Sequence, residues 1–273
     1  MPIITPTESM PDKDAFIFDL DGTLAESKAP LTDMMASTLG KFLAIKKVSI
    51  ISGGNFKQFE TQVVDRIKEV VEHAIIHKEH VIATPRFENL YLQPTTGARM
   101  YSYMRGEWKE VYAEYLTEDE KIAIRKAFDE VLPKYPFARP ERLYGEQLED
   151  RGSQITYSAL GQGAPVEEKK AWDPDLSKHK ILIEELQKIL PSTIEVRGGG
   201  LTSLDVLRKG IDKSYGIRKF GEYVGLDTSR MCFIGDAIYE GGNDYPAMTA
   251  GVDCIKVPNP DFTNKMLQQW MDR

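Results

Sequence analysis

The sequence predicts an α/β protein: a three-layer core built on a parallel sheet, interrupted by an inserted α+β domain. Three observations carry that prediction. In the first third of the chain, short β-rich runs alternate with helix-period stretches, and the same pattern returns in the last third. Between them strands and helices follow one another without strict alternation. Strands that alternate with helices pair in parallel, because each crossover has to return over a face of the sheet. These shifts divide the chain into a core of residues 1–110 and 209–273 and an insert of residues 111–208.

The elements follow in order. Ala15-Phe16-Ile17-Phe18 reads as a strand buried on both faces, and Val48-Ser49-Ile50-Ile51 as a second. Between them Thr32 caps a helix whose Met35, Leu39, Phe42 and Leu43 share one face. A helix then runs from Asn55 to about Val71, and Val81-Ile82-Ala83 reads as a third strand. Residues 88–110, rich in Tyr and Gly, read as strand-turn-strand. In the insert, Thr117 and Glu120 form a capping box that opens a helix with Ile124, Phe128, Val131 and Leu132 on its apolar stripe. Pro133, Pro136 and Pro140 stop it. Residues 154–160 alternate like a strand, and Leu182, Leu186, Ile189 and Leu190 mark another helix. Residues 194–196 and 204–206 read as a hairpin turned by Gly198-Gly199-Gly200. The core pattern resumes with a helix carrying Ile217, Phe220 and Val224 that ends at Gly225. Strands at 231–234 and 252–255 and a terminal helix with Met266, Leu267 and Trp270 complete it.

Composition narrows the function. The 273 residues are 41% apolar and carry a net charge of −7, with no block of Lys or Arg. That is enough apolar surface for a core, and it excludes disorder. Nucleic-acid coats and anionic-membrane binders need positive charge, so neither nucleic acid nor membrane is an expected partner. No apolar run reaches the roughly 20 residues that span a bilayer. Residues 1–12 lack the basic-then-apolar order of a signal peptide, and Cys232 and Cys254 build no disulfide framework. A cytoplasmic protein is expected.

The chemistry concentrates at strand ends, where open parallel sheets bind ligands. Asp19-Leu20-Asp21-Gly22-Thr23-Leu24 follows the first strand and sets two acids over a tight turn. Ser52-Gly53-Gly54 follows the second strand and precedes a helix, so a hydroxyl and backbone N–H groups make an anion seat. Gly235-Asp236 ends a later strand, with Gly241-Gly242-Asn243-Asp244 just beyond, and Lys213 opens the helix before that strand. Taken singly, each has a plainer reading as a turn or a solvated charge. Together they form one argument. A phosphate dianion is repelled by a carboxylate, at roughly 4 kcal/mol per charge pair at about 4 Å and an effective dielectric of about 20. A nucleophilic Asp19 therefore needs cations nearby: Mg²⁺ held by Asp19 and Asp236, together with Lys213 and the Ser52 hydroxyl. Asp21 suits the acid that protonates the leaving oxygen, and the set fits phosphoryl transfer through an aspartyl-phosphate.

In that order these residues resemble the four motifs of the haloacid dehalogenase (HAD) superfamily. The resemblance implies a Rossmann-like three-layer core with an inserted C2-type cap, as in subfamily IIB. It implies Asp19 as nucleophile and metal ligand, and Asp21 as acid/base that lends its backbone carbonyl to the metal. Gly22, Ser52, Gly53 and Lys213 would hold phosphate, Asp236 would bind Mg²⁺, and Asn243 and Asp244 would support the metal site. Within the superfamily, Gly235-Asp236…Gly241-Gly242-Asn243-Asp244 and Ser203-x-Asp205-Val206…Gly210-x-Asp212-Lys213 are similar to eukaryotic-type phosphomannomutases, whose Ser and Asp touch the sugar phosphate. That group also implies a homodimer formed through the cap.

The match departs in the cap. A mutase cap resembles an Arg-Gly…Arg-Asn-Gly…Gly-Arg run; here the first Arg falls on Tyr144, the second is Arg151, and the last is Gln162. A mutase holds a bisphosphorylated sugar while it turns over, and the phosphate far from Asp19 needs cationic partners. Arg142 is the candidate substitute for Tyr144. The expected activity is therefore a Mg²⁺-dependent phosphatase acting on a small phosphate ester, most simply a sugar phosphate. The alternative is a phosphomannomutase-type phosphotransferase, and a third class is a binding module that has lost its chemistry. His73, His77 and His80 fall at helical spacing, but a solvated helix end explains them better than a metal. Trp108, Trp172 and both cysteines are expected to pack.

Overall fold

The computed structural model describes residues 3–4, 9–76 and 84–272. The expected strand 81–83, together with His77 and His80, lies outside the described residues. The chain forms two compact units, one of residues 1–113 and 212–273 and one of residues 114–211.

The first unit is built on an eight-stranded sheet. In chain order its strands are β1 (Ile3–Ile4), β2 (Ala15–Asp19), β3 (Lys47–Ile51), β4 (Leu90–Gln93), β5 (Arg99–Met104) and β6 (Glu107–Ala113). Two more follow the second unit, which itself holds β7 to β10, and are β11 (Met231–Gly235) and β12 (Asp253–Lys256). The order is β1-β12-β11-β2-β3-β4-β5-β6. Pairing is parallel from β1 through β4 and antiparallel from β4 to β6. The strand-turn-strand expected at 88–110 thus extends the core sheet, and its first part, β4, is a parallel neighbour of β3.

Alternation along β2 sorts the layers. Phe16 and Phe18 pack to one face with Met35, Leu39 and Phe42 of α1 (Asp33–Phe42) and with Leu267 and Trp270 of the C-terminal helix Pro260–Met271. Ala15 and Ile17 pack to the other with Ile217 and Phe220 of the helix Lys213–Val224. These are the three layers the sequence predicts. Local signals set the ends: the Thr32 hydroxyl accepts from the Met35 N–H at 3.2 Å, and Gly225 closes its helix at φ 69°. The helix expected at 55–71 is capped by Asn55 but is interrupted by a π-helical turn, Glu60–Val64, before it continues as Asp65–Ile76.

The second unit is a four-stranded antiparallel sheet of β7 (Leu148–Asp150), β8 (Gln154–Ser158), β9 (Ile194–Gly200) and β10 (Ser203–Arg208), in the order β7-β8-β10-β9. Ile155, Tyr157, Leu204 and Val206 pack against Ile124, Phe128, Leu182 and Leu186 of the helices Glu118–Val131 and Ser177–Ile189. Thr117 and Glu120 make the expected capping box. The glycine run is not the hairpin turn: Gly198-Gly199-Gly200 ends β9, and the reversal falls at Leu201 and Thr202. Gly199 passes so close to Asp205 that a Cβ would lie 2.6 Å from its Oδ2. No helix among the described residues is long and apolar enough to cross a membrane.

Candidate active site

Parallel pairing brings the first unit's acids together. β11, β2 and β3 are neighbours, with Ile234 beside Phe18 and Asp19 beside Ile51. Their carboxyl ends therefore set Asp19, Ser52 and Asp236 along one edge of the sheet, which is where such sheets bind ligands. One carboxylate oxygen from each of Asp19, Asp236 and Asp244 lies within 4.8 Å of the others.

Lys213 locks this group. It is fully buried at the first position of its helix, behind the N-cap Asp212. Its ammonium pairs with Asp19 Oδ1 and, at 2.5 Å, with Asp244 Oδ1. Asp244 Oδ2 accepts from the Ala237 N–H at 3.0 Å, which folds the 236–244 loop back over the strand end. Burial works against the Lys213 ammonium, but the carboxylates of Asp19 and Asp244 outweigh it and raise its pKa. Burial pushes the Asp19 carboxyl up to about 8 against the pull of Lys213, and burial and then the Asp244 charge also raise Asp236. Three acids facing one ammonium leave excess negative charge in a dry place, which favours protonation or a further cation.

The remaining core residues surround this cluster. Asp21 is half-buried, and its carboxylate accepts from the Lys28 N–H at 2.5 Å and lies 3.5 Å from the Ser52 hydroxyl. Gly22 turns the chain at φ +87°, and a Cβ there would lie 2.7 Å from Asp236 Oδ2, so the motif needs glycine twice over. Gly53 follows Ser52 in the turn before the next helix. Asn243 is exposed on its loop, whereas Asp244 beside it is fully buried. Sequence reading missed Thr23, whose hydroxyl lies 3.4 Å from Asp236 Oδ1; its place in the motif was visible, but its rotamer was not.

A cation fits these donors. Asp19 Oδ2 is buried with no hydrogen-bond partner in the structure, beside two further carboxylates. Hard divalent ions prefer such oxygen donors.

With that geometry in place, comparison with known proteins identifies the lineage. A family model described as eukaryotic phosphomannomutase matches residues 136–273, just over half the chain. The chain belongs to this family. Among curated relatives, the phosphomannomutase of Encephalitozoon cuniculi is 26% identical over 269 residues, covering 94% of this chain and 93% of the relative. That of Schizosaccharomyces pombe is 25% identical over 273 residues, covering 96% of each. Human phosphomannomutase 1 is 23% identical over 84% of this chain and 80% of its own length. Solved structures agree on the fold. The IMP-nucleotidase of Plasmodium falciparum superposes with a TM-score of 0.64 at 16% identity over 96% of this chain and 68% of that one. SMU.1108c from Streptococcus mutans gives 0.61 at 12% over 96% of this chain and 100% of that one. The HAD superfamily assignment and phosphoryl-transfer chemistry follow.

The phosphomannomutase-like positions of the second unit lie on its antiparallel sheet. Ser203 faces Ser158, with hydroxyls 3.2 Å apart, and Asp205 faces Thr156, whose hydroxyl donates to Asp205 Oδ1 at 2.8 Å. Arg151, its side chain 6% exposed, donates to Glu149 at 2.7 Å. Tyr144 donates to Glu168 at 2.6 Å, and the Arg142 guanidinium sits 4.5 Å above the Tyr144 ring. Arg142 is exposed. Gln162 is half-buried, and its carbonyl accepts from the Lys169 ammonium at 3.1 Å. Trp172 is packed in this unit's core, and Trp108 packs against Phe56 and Tyr103 in the first. Both cysteines are buried; burial pushes the Cys254 thiol up to about 12 and raises Cys232 as well, so neither is a nucleophile.

Proposed function

We propose that this chain is a sugar-phosphate phosphotransferase of the phosphomannomutase type, interconverting mannose 6-phosphate and mannose 1-phosphate. The observation that carries the reading is the buried set Asp19, Lys213 and Asp244, with half-buried Asp236 at its rim, in a chain that the phosphomannomutase model matches over residues 136–273. Asp19 takes the phosphoryl group through its carboxylate oxygen, and Asp21 gives a proton to the departing sugar oxygen and takes one back when the group is returned. Ser52, Gly53 and Gly22 receive the phosphate oxygens, and Lys213 both offsets their charge and holds Asp19 in line. Asp19, the Asp21 carbonyl and Asp236 would hold Mg²⁺, with Asp244 and Asn243 beside them; when bound, the ion would supply charge neutralisation at the transferring group. Arg151, Gln162, Ser203 and Asp205 read the sugar phosphate, and a homodimer forms through the inserted unit.

Hydrolysis of the sugar phosphate is the second reading. Tyr144 and Gln162 support it, since they stand where two mutase arginines are expected and neither is a cation. The relatives support transfer instead. One assay separates the two: mannose 1-phosphate with Mg²⁺ and catalytic hexose 1,6-bisphosphate. The transfer reading expects mannose 6-phosphate with little inorganic phosphate. Stoichiometric phosphate release, indifferent to the bisphosphate, establishes a phosphatase instead.

A further inference from the structure

We propose that the turn at residues 94–98, with Gln93 and Tyr112 beneath it, is a brace that sets the phosphate-loop Ser52 against Lys213. Tyr112 is then a positioning residue for phosphoryl transfer, and the inference rests on that reading of the site.

β4 lies beside β3, so the turn begins where the phosphate loop begins. Three backbone bonds tie them: the Ser52 N–H donates to the Gln93 carbonyl at 3.3 Å, the Thr96 N–H to the Ser52 carbonyl at 2.9 Å, and the Thr95 N–H to the Gly54 carbonyl at 2.9 Å. To make them, Thr95 and Thr96 adopt φ of 52° and 58°. Branched side chains avoid that left-handed region. Such strain persists where surroundings over-determine it, and it clusters at functional sites.

The other side of the turn grips the helix that carries Lys213. Gly97, at φ +86°, packs against the first turn of that helix; a Cβ there would lie 2.9 Å from both Gly216 Cα and Ile51 Cδ1. The Gln93 amide donates to the Gly216 carbonyl at 2.7 Å and to the Tyr112 hydroxyl at 3.2 Å. Tyr112 in turn donates to the Gly97 carbonyl at 2.7 Å, and the Ser49 hydroxyl to the Gln93 side-chain Oε1 at 3.0 Å. One short turn therefore holds the hydroxyl and the ammonium that would grip the same phosphate. Two groups on separate elements keep productive spacing only if something fixes both.

The test compares the Mg²⁺-loaded full chain with Tyr112→Phe, which removes one hydroxyl and leaves the ring. Its KM for the sugar phosphate and its Kd for inorganic phosphate by calorimetry should each rise about 5- to 10-fold, with a smaller change in kcat. In a Ser52→Ala background the same change should add less than about 2-fold, because the residue it positions is gone. Gly97→Ala should give a stronger version of the same phenotype. Unchanged KM and phosphate affinity in Tyr112→Phe, even with a lowered Tm, would overturn the brace. So would full additivity with Ser52→Ala. If the wild type binds phosphate but turns over no ester, the functional reading fails, while the calorimetric comparison still decides the brace.

Discussion

The two units spend their polar residues differently. In the parallel-sheet unit, Asp19, Lys213 and Asp244 come from three distant stretches of chain and are buried in one charge cluster with Asp236 at its rim. In the antiparallel unit, polar residues satisfy one another along a sheet: Ser203 with Ser158, Arg151 with Glu149, and Asp205 with Thr156, which also accepts from Gln154. The first arrangement depends on its one cation, since removing Lys213 leaves buried carboxylates unmatched. Among the described residues, the second gathers no group of carboxylates around one buried ammonium. Tyr144 and Gln162, which fall where the family resemblance implies arginines, both lie in the second unit. On the proposed function, the first unit sets the reaction and the second selects its substrate.

The largest effect expected from breaking that division is loss of the nucleophile. Asp19→Asn should lower turnover by at least about 10³-fold, measured with p-nitrophenyl phosphate and Mg²⁺. Its metal-free fold should be no less stable, because it removes a carboxyl that burial already disfavours as an anion. Surviving turnover would place the nucleophile elsewhere. Lys213→Met should come next, destabilising the metal-free protein by about 3–5 kcal/mol near pH 8, since two buried carboxylates lose their shared cation. Mg²⁺ should recover part of that loss in urea unfolding. A variant as stable as wild type would show that the cluster is looser than the structure has it.

How much of this was legible depends on the kind of signal. Asp19-x-Asp21, Ser52, Lys213 and Asp236 could be read because each sits where a predicted strand ends or a helix begins, and parallel pairing then brings those ends together. The 94–98 turn could not be read: nothing in Gln-Pro-Thr-Thr-Gly announces that two threonines take positive φ. Gly198-Gly199-Gly200 misled for a related reason. A glycine run signals a turn, but here Gly199 lies within a strand, and a Cβ there would crowd Asp205. The polar face of β8 and β10 showed as alternation, yet which residues pair across it is a matter of register, fixed only by the fold.

pH sharpens the comparison at the next level. Burial raises Asp19 to about 8 and raises Asp236. Folded Asp19 therefore keeps a proton that the unfolded chain loses near pH 4, and its contribution to metal-free stability falls as pH rises from about 4 to about 8. Mg²⁺ must displace that proton, so its apparent affinity by titration calorimetry should rise by up to about tenfold per pH unit until about pH 8, then level. A flat profile would mean that Asp19 is already ionised in the metal-free protein. In the second unit, Gln162→Arg restores a cation at a mutase position. It should favour transfer over hydrolysis by about tenfold, read as the ratio of sugar phosphate to inorganic phosphate. An unchanged ratio would remove Gln162 from substrate recognition.

The smallest effect separates stability from chemistry. Thr117 caps the helix Glu118–Val131, accepting from the Glu120 N–H at 3.2 Å while Glu120 accepts from the Thr117 N–H at 2.7 Å. Glu120 also takes two hydrogen bonds from Arg208 on β10, at 3.0 and 2.9 Å, so this cap ties helix to sheet within the antiparallel unit. Thr117→Ala removes the side-chain cap alone and should cost about 1 kcal/mol, a fall in Tm of about 2–4 °C. None of these residues belongs to the charge cluster, so kcat with p-nitrophenyl phosphate should stay within about 2-fold of wild type. A proportionate loss of kcat at a temperature where the variant is fully folded would mean that the two units share the work of catalysis, and the division of labour drawn from their polar networks would fail.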